Sequence, residues 1–126
     1  MRLGRTVIGG ALAEAGLLPS WLYRHLALAA LEEEDYPGAL NYLQHAEDSI
    51  LTQILIVRLR LLSTRHQRHR QALLELLQQN PSEEKRQKLQ DILAQEEKAL
   101  QLLKSYEAKG MIMLQAISPF AAKNHL

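Results

Sequence analysis

His66 and His69 stand three residues apart in a stretch that reads as helix, so both imidazoles leave one face. Glu96 falls opposite His66 if the chain folds back at Asn80-Pro81. Two imidazoles and a carboxylate are zinc ligands by type. The remaining histidines, His25, His45 and His125, lie elsewhere in the chain, and a third protein ligand is only weakly specified. The same residues also fit a polar pair inside a leucine seam, with His66 hydrogen-bonded to Glu96 and fixing the register of two helices. That reading is adopted, with no metal and no cofactor assigned.

Arg58, Arg60, Arg65, Arg68 and Arg70 place five positive charges in thirteen residues. Such a cluster attracts phosphate backbones, and binding of that kind weakens steeply with salt. At helical spacing Arg58, Arg65 and Arg68 follow one face while Arg60 and Arg70 turn away. No aromatic residue is interleaved to stack on bases. A solvated face pairing with Glu75, Asp91 and Glu97 is therefore the first reading, and nucleic-acid binding the alternative.

Enzyme signatures are missing from the sequence. Zero cysteines remove disulfides, thiolate metal sites and cysteine nucleophiles together. No phosphate-cradling glycine loop, HExxH pair or nucleophile elbow occurs, and no serine carries a signal pointing to a base. The acidic run Glu32-Glu33-Glu34-Asp35 reads as a solvated helix end, because successive helical side chains splay apart. The expectation is a chain that is not an enzyme.

The elements that must position these residues are all helical. The 126 residues suit one domain; 47% are apolar, and strong helix formers such as Leu, Ala, Gln, Glu and Arg dominate. Fifteen Lys and Arg against fourteen Asp and Glu leave no global field to select a partner. After an N-terminal segment, residues 1–18, helix A starts at Pro19-Ser20 and runs to about Glu34. The turn Asp35-Tyr36-Pro37-Gly38 reverses the chain. From Pro37 to Gln79 no Gly or Pro follows Gly38, and the apolar periodicity implies one helix B of roughly 65 Å. Asn80-Pro81-Ser82 ends it. Helix C follows over residues 82–110 and stops at Gly110, leaving a tail over 111–126.

Folding B against C at Asn80-Pro81 opposes residues whose numbers sum to about 161. That register gives a coiled-coil seam of Thr52, Leu55, Leu59, Leu62, His66, His69, Leu73 and Leu76 against Leu89, Ile92, Glu96, Ala99, Leu103 and Tyr106. The fold class expected is all-α, a helical pair extended by a long antiparallel helical hairpin.

Tyr23, Leu26 and Ala27 in the first helix, Asp35-Tyr36 at the turn, and Ala39, Leu43 and Ala46 in the second occupy aromatic, bulky and small positions. By these residues the segment 20–53 resembles a single tetratricopeptide (TPR) unit. Leu51 stands where that family often has a closing proline, no second copy follows 34 residues on, and the second helix continues too far. The resemblance implies a TPR-like hairpin fused to an arm, and a role in binding protein segments rather than catalysis. A lone unit does not form the family's concave groove.

Ile54-Leu55-Ile56-Val57, flanked by Leu51, Leu59, Leu61 and Leu62, is apolar around nearly the whole helix, more than two neighbouring helices cover. Either residues 1–18 or Met111 to Phe120 cover the remaining side, or a partner does; the reading taken is a protein–protein interaction or adaptor module, burying Leu51, Ile54, Leu55, Val57, Leu59 and Leu61 against a partner protein or in a homodimer. Glu14 interrupts the apolar stretch after Arg2 and Arg5, which argues against a secretory signal, and Arg58 and Arg60 interrupt the other apolar window, which argues against a membrane span. A cytoplasmic protein is the expectation.

Overall fold

The computed structural model describes residues 17–117. The readings made above for the N-terminal stretch and for the end of the tail lie outside the described residues. Among the described residues four helices follow one another: α1 (Ser20–Glu32), α2 (Tyr36–Ala46), α3 (Ser49–Gln78) and α4 (Glu83–Ile117). No strand occurs among the described residues, and the fold is all-α.

Packing groups these residues into two compact units, one of residues 17–56 with 108–117, the other Val57–Glu107. In the first, α1 and α2 pack as a hairpin joined by Glu33, Glu34 and Asp35. Glu34 takes the left-handed conformation, φ 59°, so that its N–H donates to the Leu31 carbonyl and that of Asp35 to the Ala30 carbonyl. This pair of bonds closes a helix C-terminus of the Schellman type. Asp35 then opens α2, its Oδ1 accepting from Gly38 N at 3.1 Å. At the far end Ser20 Oγ donates to the Ala46 carbonyl, fastening the start of α1 to the end of α2. Ala27, Ala39 and Leu43 are completely buried between them, the small residues letting the helices approach closely, and Tyr23 stacks at 4.9 Å on His45.

The expected unbroken helix B is two helices. Glu47 adopts φ 52° and ψ 38°, which ends α2. Asp48 starts α3: its Oδ1 accepts from Ile50 N at 3.0 Å and Leu51 N at 3.2 Å. Breaking a helix needs neither Gly nor Pro when an adjacent carboxylate satisfies the next helix's orphan donors. Leu51, Thr52, Leu55 and Ile56 of α3 complete this unit's core.

Helix α4 likewise corrects the expected stop at Gly110 and tail from Met111, since it continues to Ile117. Gly110 is a close-approach residue rather than a terminator. A Cβ there would lie 3.1 Å from Ile56 Cγ1, with Leu40 behind it.

In the second unit α3 and α4 run antiparallel, clipped by Arg60 to Glu107, His66 to Glu96 and Arg70 to Glu97. Leu59, Leu100 and Leu103 are buried near its start. From residue 64 to residue 99 no side chain is fully buried, because two helices alone cannot enclose a seam. The turn between them is built as the sequence reads: Asn80 at φ 55°, then Pro81, with Ser82 Oγ accepting from Lys85 N at 3.4 Å. The seam on α4 is Arg86, Leu89, Leu93, Glu96, Leu100 and Leu103, so Leu93 replaces the expected Ile92, which is 45% exposed.

Candidate functional site

Among the described residues a second apolar stripe of α3 stands exposed. In the first unit Ile50 and Ile54 are 67% and 39% exposed; in the second, Val57 and Leu61 are 53% and 66% exposed. Along the helix these residues repeat at intervals of four, three and four, the spacing that keeps side chains on one line. Among the six anchors expected from sequence, Ile54, Val57 and Leu61 are presented to solvent. Leu51, Leu55 and Leu59 are corrected to core residues, at 7%, 0% and 0% exposure, because α3 is apolar on two faces and these three belong to the inward one.

Ile50 was not among the expected anchors, nor were two exposed residues of α1, Trp21 and Leu28, which stand seven apart on one helix face. The first unit brings Trp21, Leu28 and Ile50 to a single open groove, with Arg24, His25 and Asp48 at its polar edge. Trp21 meets the His25 ring edge-on at 5.8 Å. The spacing of Ile50 from Ile54 was the available signal; the meeting of Trp21 with Ile50 needs the hairpin fold.

The basic segment is in part already engaged. Arg60 Nε donates to Glu107 Oε1 at 2.6 Å and Arg70 Nε to Glu97 Oε1 at 3.3 Å. Arg58, Arg65 and Arg68 are exposed.

His66 and Glu96 meet as the register requires. His66 Nδ1 donates to Glu96 Oε2 at 2.5 Å, and His69 Nδ1 approaches Oε1 at 3.5 Å from a mostly exposed position. The hydrogen bond from His66 holds the Glu96 carboxyl below its ordinary value of 4.5, with the imidazole charges and the His69 contact adding to it and desolvation opposing. Among the described residues no group of three or more His, Asp or Glu side chains is placed to hold a metal ion. His66 and His69 both face the Glu96 carboxylate across the hairpin. No protein-family model, curated protein or solved structure matches this chain.

Proposed function

We propose that the chain is a non-catalytic protein–protein interaction module that works by burying the outward face of α3 against another protein or a second copy. The observation that supports this is the line Ile50, Ile54, Val57 and Leu61, exposed at coiled-coil spacing on one helix. Four neighbouring aliphatic side chains left in water carry a hydration cost that burial in an interface relieves, about 25 cal/mol per Å² of apolar area. The TPR-like description of residues 20–53 belongs to the same proposal, with the break at Glu47-Asp48 falling inside that segment. So does a cytoplasmic location; among the described residues no helix is long and apolar enough to cross a membrane.

The nucleic-acid alternative is the weaker reading. Arg60 and Arg70 already hold carboxylates of α4, and a phosphate would have to displace them.

A photoreactive residue placed at Ile54 or Leu61 tests the proposal, with the same probe at exposed Gln78 as control. Adducts from positions 54 and 61, lost in the Val57→Glu background, are expected with purified protein if a second copy is the partner, and in extracts of its source cells if another protein is. No adduct in either setting would overturn it.

A further inference from the structure

The α3–α4 hairpin of the second unit has two flanks, and only one of them is clipped. In an antiparallel pair of right-handed helices, the residue before each seam position falls on one flank and the residue after it on the other, for both helices. On the following side Arg60, next after Leu59, reaches Glu107, and Glu97, next after Glu96, meets Arg70. On the preceding side Leu76, Ile92 and Leu102, which come just before the seam residues Leu77, Leu93 and Leu103, are 46%, 45% and 52% exposed. Ala72 and Ala99 lie between them, and such short side chains leave depth for an incoming one. At the tip Leu76 of α3 and Lys88 of α4 line one open pocket, as their shared flank requires. This groove extends about four helical turns, roughly 21 Å. It also explains why nothing is fully buried from residue 64 to residue 99: two walls of a three-helix seam are present.

Charge narrows what the third wall is. From Val57 to Leu74 the α3 side carries no carboxylate. Arg65 precedes the seam residue His66 and so stands on the groove side, with Arg68 one turn on and further out; among the described residues neither pairs with a carboxylate. The α4 side is balanced, with Lys88 3.6 Å from Glu84 and Asp91 near Lys98 in sequence. An occupant is therefore selected by negative charge on its α3-facing edge. The chain's own ends are poor candidates, since residues 1–16 hold Arg2 and Arg5 against Glu14, and residues 118–126 hold Lys123 and no Asp or Glu. A second copy entering by the same groove would set these arginines against themselves. A phosphate backbone would satisfy the arginines but leave Leu76, Ile92 and Leu102 in water.

We propose that this groove receives an amphipathic helix of a partner protein, with aliphatic side chains set among Leu76, Ile92 and Leu102 and with Asp or Glu along the edge that faces Arg65 and Arg68. The surface is separate from the outward stripe of α3, and either reading stands without the other.

The test titrates the full chain into labelled helical peptides of about 20 residues, with Leu at heptad a and d and either Glu or Lys on the flanking positions. Fluorescence anisotropy should show binding of the Glu peptide and at least tenfold weaker binding of the Lys peptide. Arg65→Glu should raise the Kd about fivefold and Ile92→Glu about tenfold, whereas Lys104→Glu, on the clipped flank, should leave it unchanged. All three positions are exposed; should circular dichroism show lost helix in Ile92→Glu, Leu102→Glu takes its place. Bound Glu peptide should also slow amide exchange of residues 70–92 about tenfold, because closing the groove suppresses local opening of the arm. Equal binding of the two peptides, or binding indifferent to both Arg65→Glu and Ile92→Glu, would overturn the proposal. So would binding that protects only amides of the first unit. A DNA single strand of about 20 nucleotides that binds through Arg65 while the Glu peptide does not would assign the arginines to phosphate instead. Self-association of the pure chain in light scattering, abolished by Ile92→Glu, would give the groove to a second copy and likewise overturn it.

Discussion

Glu96 is the residue through which the two helices of the second unit exchange the most specific information. Each of its carboxylate oxygens faces an imidazole nitrogen of α3, and the His66 bond is the shorter. Because that bond lowers the Glu96 pKa in the folded chain, the linked stability is fully present above the ordinary carboxylate value of 4.5. It is lost as pH falls through the lowered value. Replacing Glu96 by Gln should cost about 1 kcal/mol at pH 6, and the difference from the parent should shrink progressively below pH 4.5. Thermal unfolding of both proteins from pH 3 to 7 reads this directly; a difference that does not vary with pH would remove the carboxylate from the account. Glu96→Leu, by contrast, replaces the polar layer with an apolar one and should leave stability equal or higher at neutral pH. A second polar residue has the opposite sign. Ser63 Oγ is buried with no hydrogen-bond partner, so Ser63→Ala removes an unmet desolvation penalty and should stabilise by about 1 kcal/mol, seen as a higher urea midpoint.

At the scale of elements, the breaks differ in how visible they are. Asn80-Pro81-Ser82 announces itself because each residue type performs the role it has in isolation: Asn tolerates the left-handed conformation, Pro cannot continue a helix and Ser caps. Glu47-Asp48 is hidden because its left-handed residue is a glutamate and the apolar periodicity runs straight across the junction. What identifies the boundary is Asp48 accepting two N–H groups, a bond that sequence spacing does not report. Asp48→Ala should therefore cost about 1 kcal/mol in urea unfolding, and Asp48→Ser should recover part of it; no change would mean that α3 starts without help from this cap. Gly110 misleads in the other direction, reading as a stop while serving as a contact. Gly110→Leu would force side-chain carbons onto Ile56 and should destabilise by about 2 kcal/mol, against a small helix-propensity gain. The site was half legible for a related reason. Composition shows that α3 is apolar on two faces between residues 50 and 62, but which face is inward depends on α1, α2 and α4, so Leu55 and Val57 look alike until burial tells them apart.

For the whole molecule, the uneven distribution of buried residues predicts uneven stability. The first unit encloses Tyr23, Leu43 and Leu55 among three or more helices, whereas residues 64–99 form a two-helix arm with nothing fully buried. The arm's ion pairs add little, since Arg70 and Glu97 are each about half exposed and such pairs contribute about 0.5 kcal/mol. Its half-buried Leu73, Leu77, Leu89 and Leu93 must carry most of the cohesion. The end near Asn80 lacks even the polar clips found at Glu96 and Glu107. Opening of that end exposes little apolar surface and should occur well below the free energy of global unfolding. Amide hydrogen exchange should accordingly show residues 70–92 exchanging through local openings, at rates insensitive to mild denaturant. Amides of Tyr23–Ala30 should follow the global transition with its full denaturant dependence. Equal exchange free energies and equal denaturant slopes in the two regions would mean that the arm unfolds only with the rest of the chain, and that the seam leucines hold it more firmly than their burial implies.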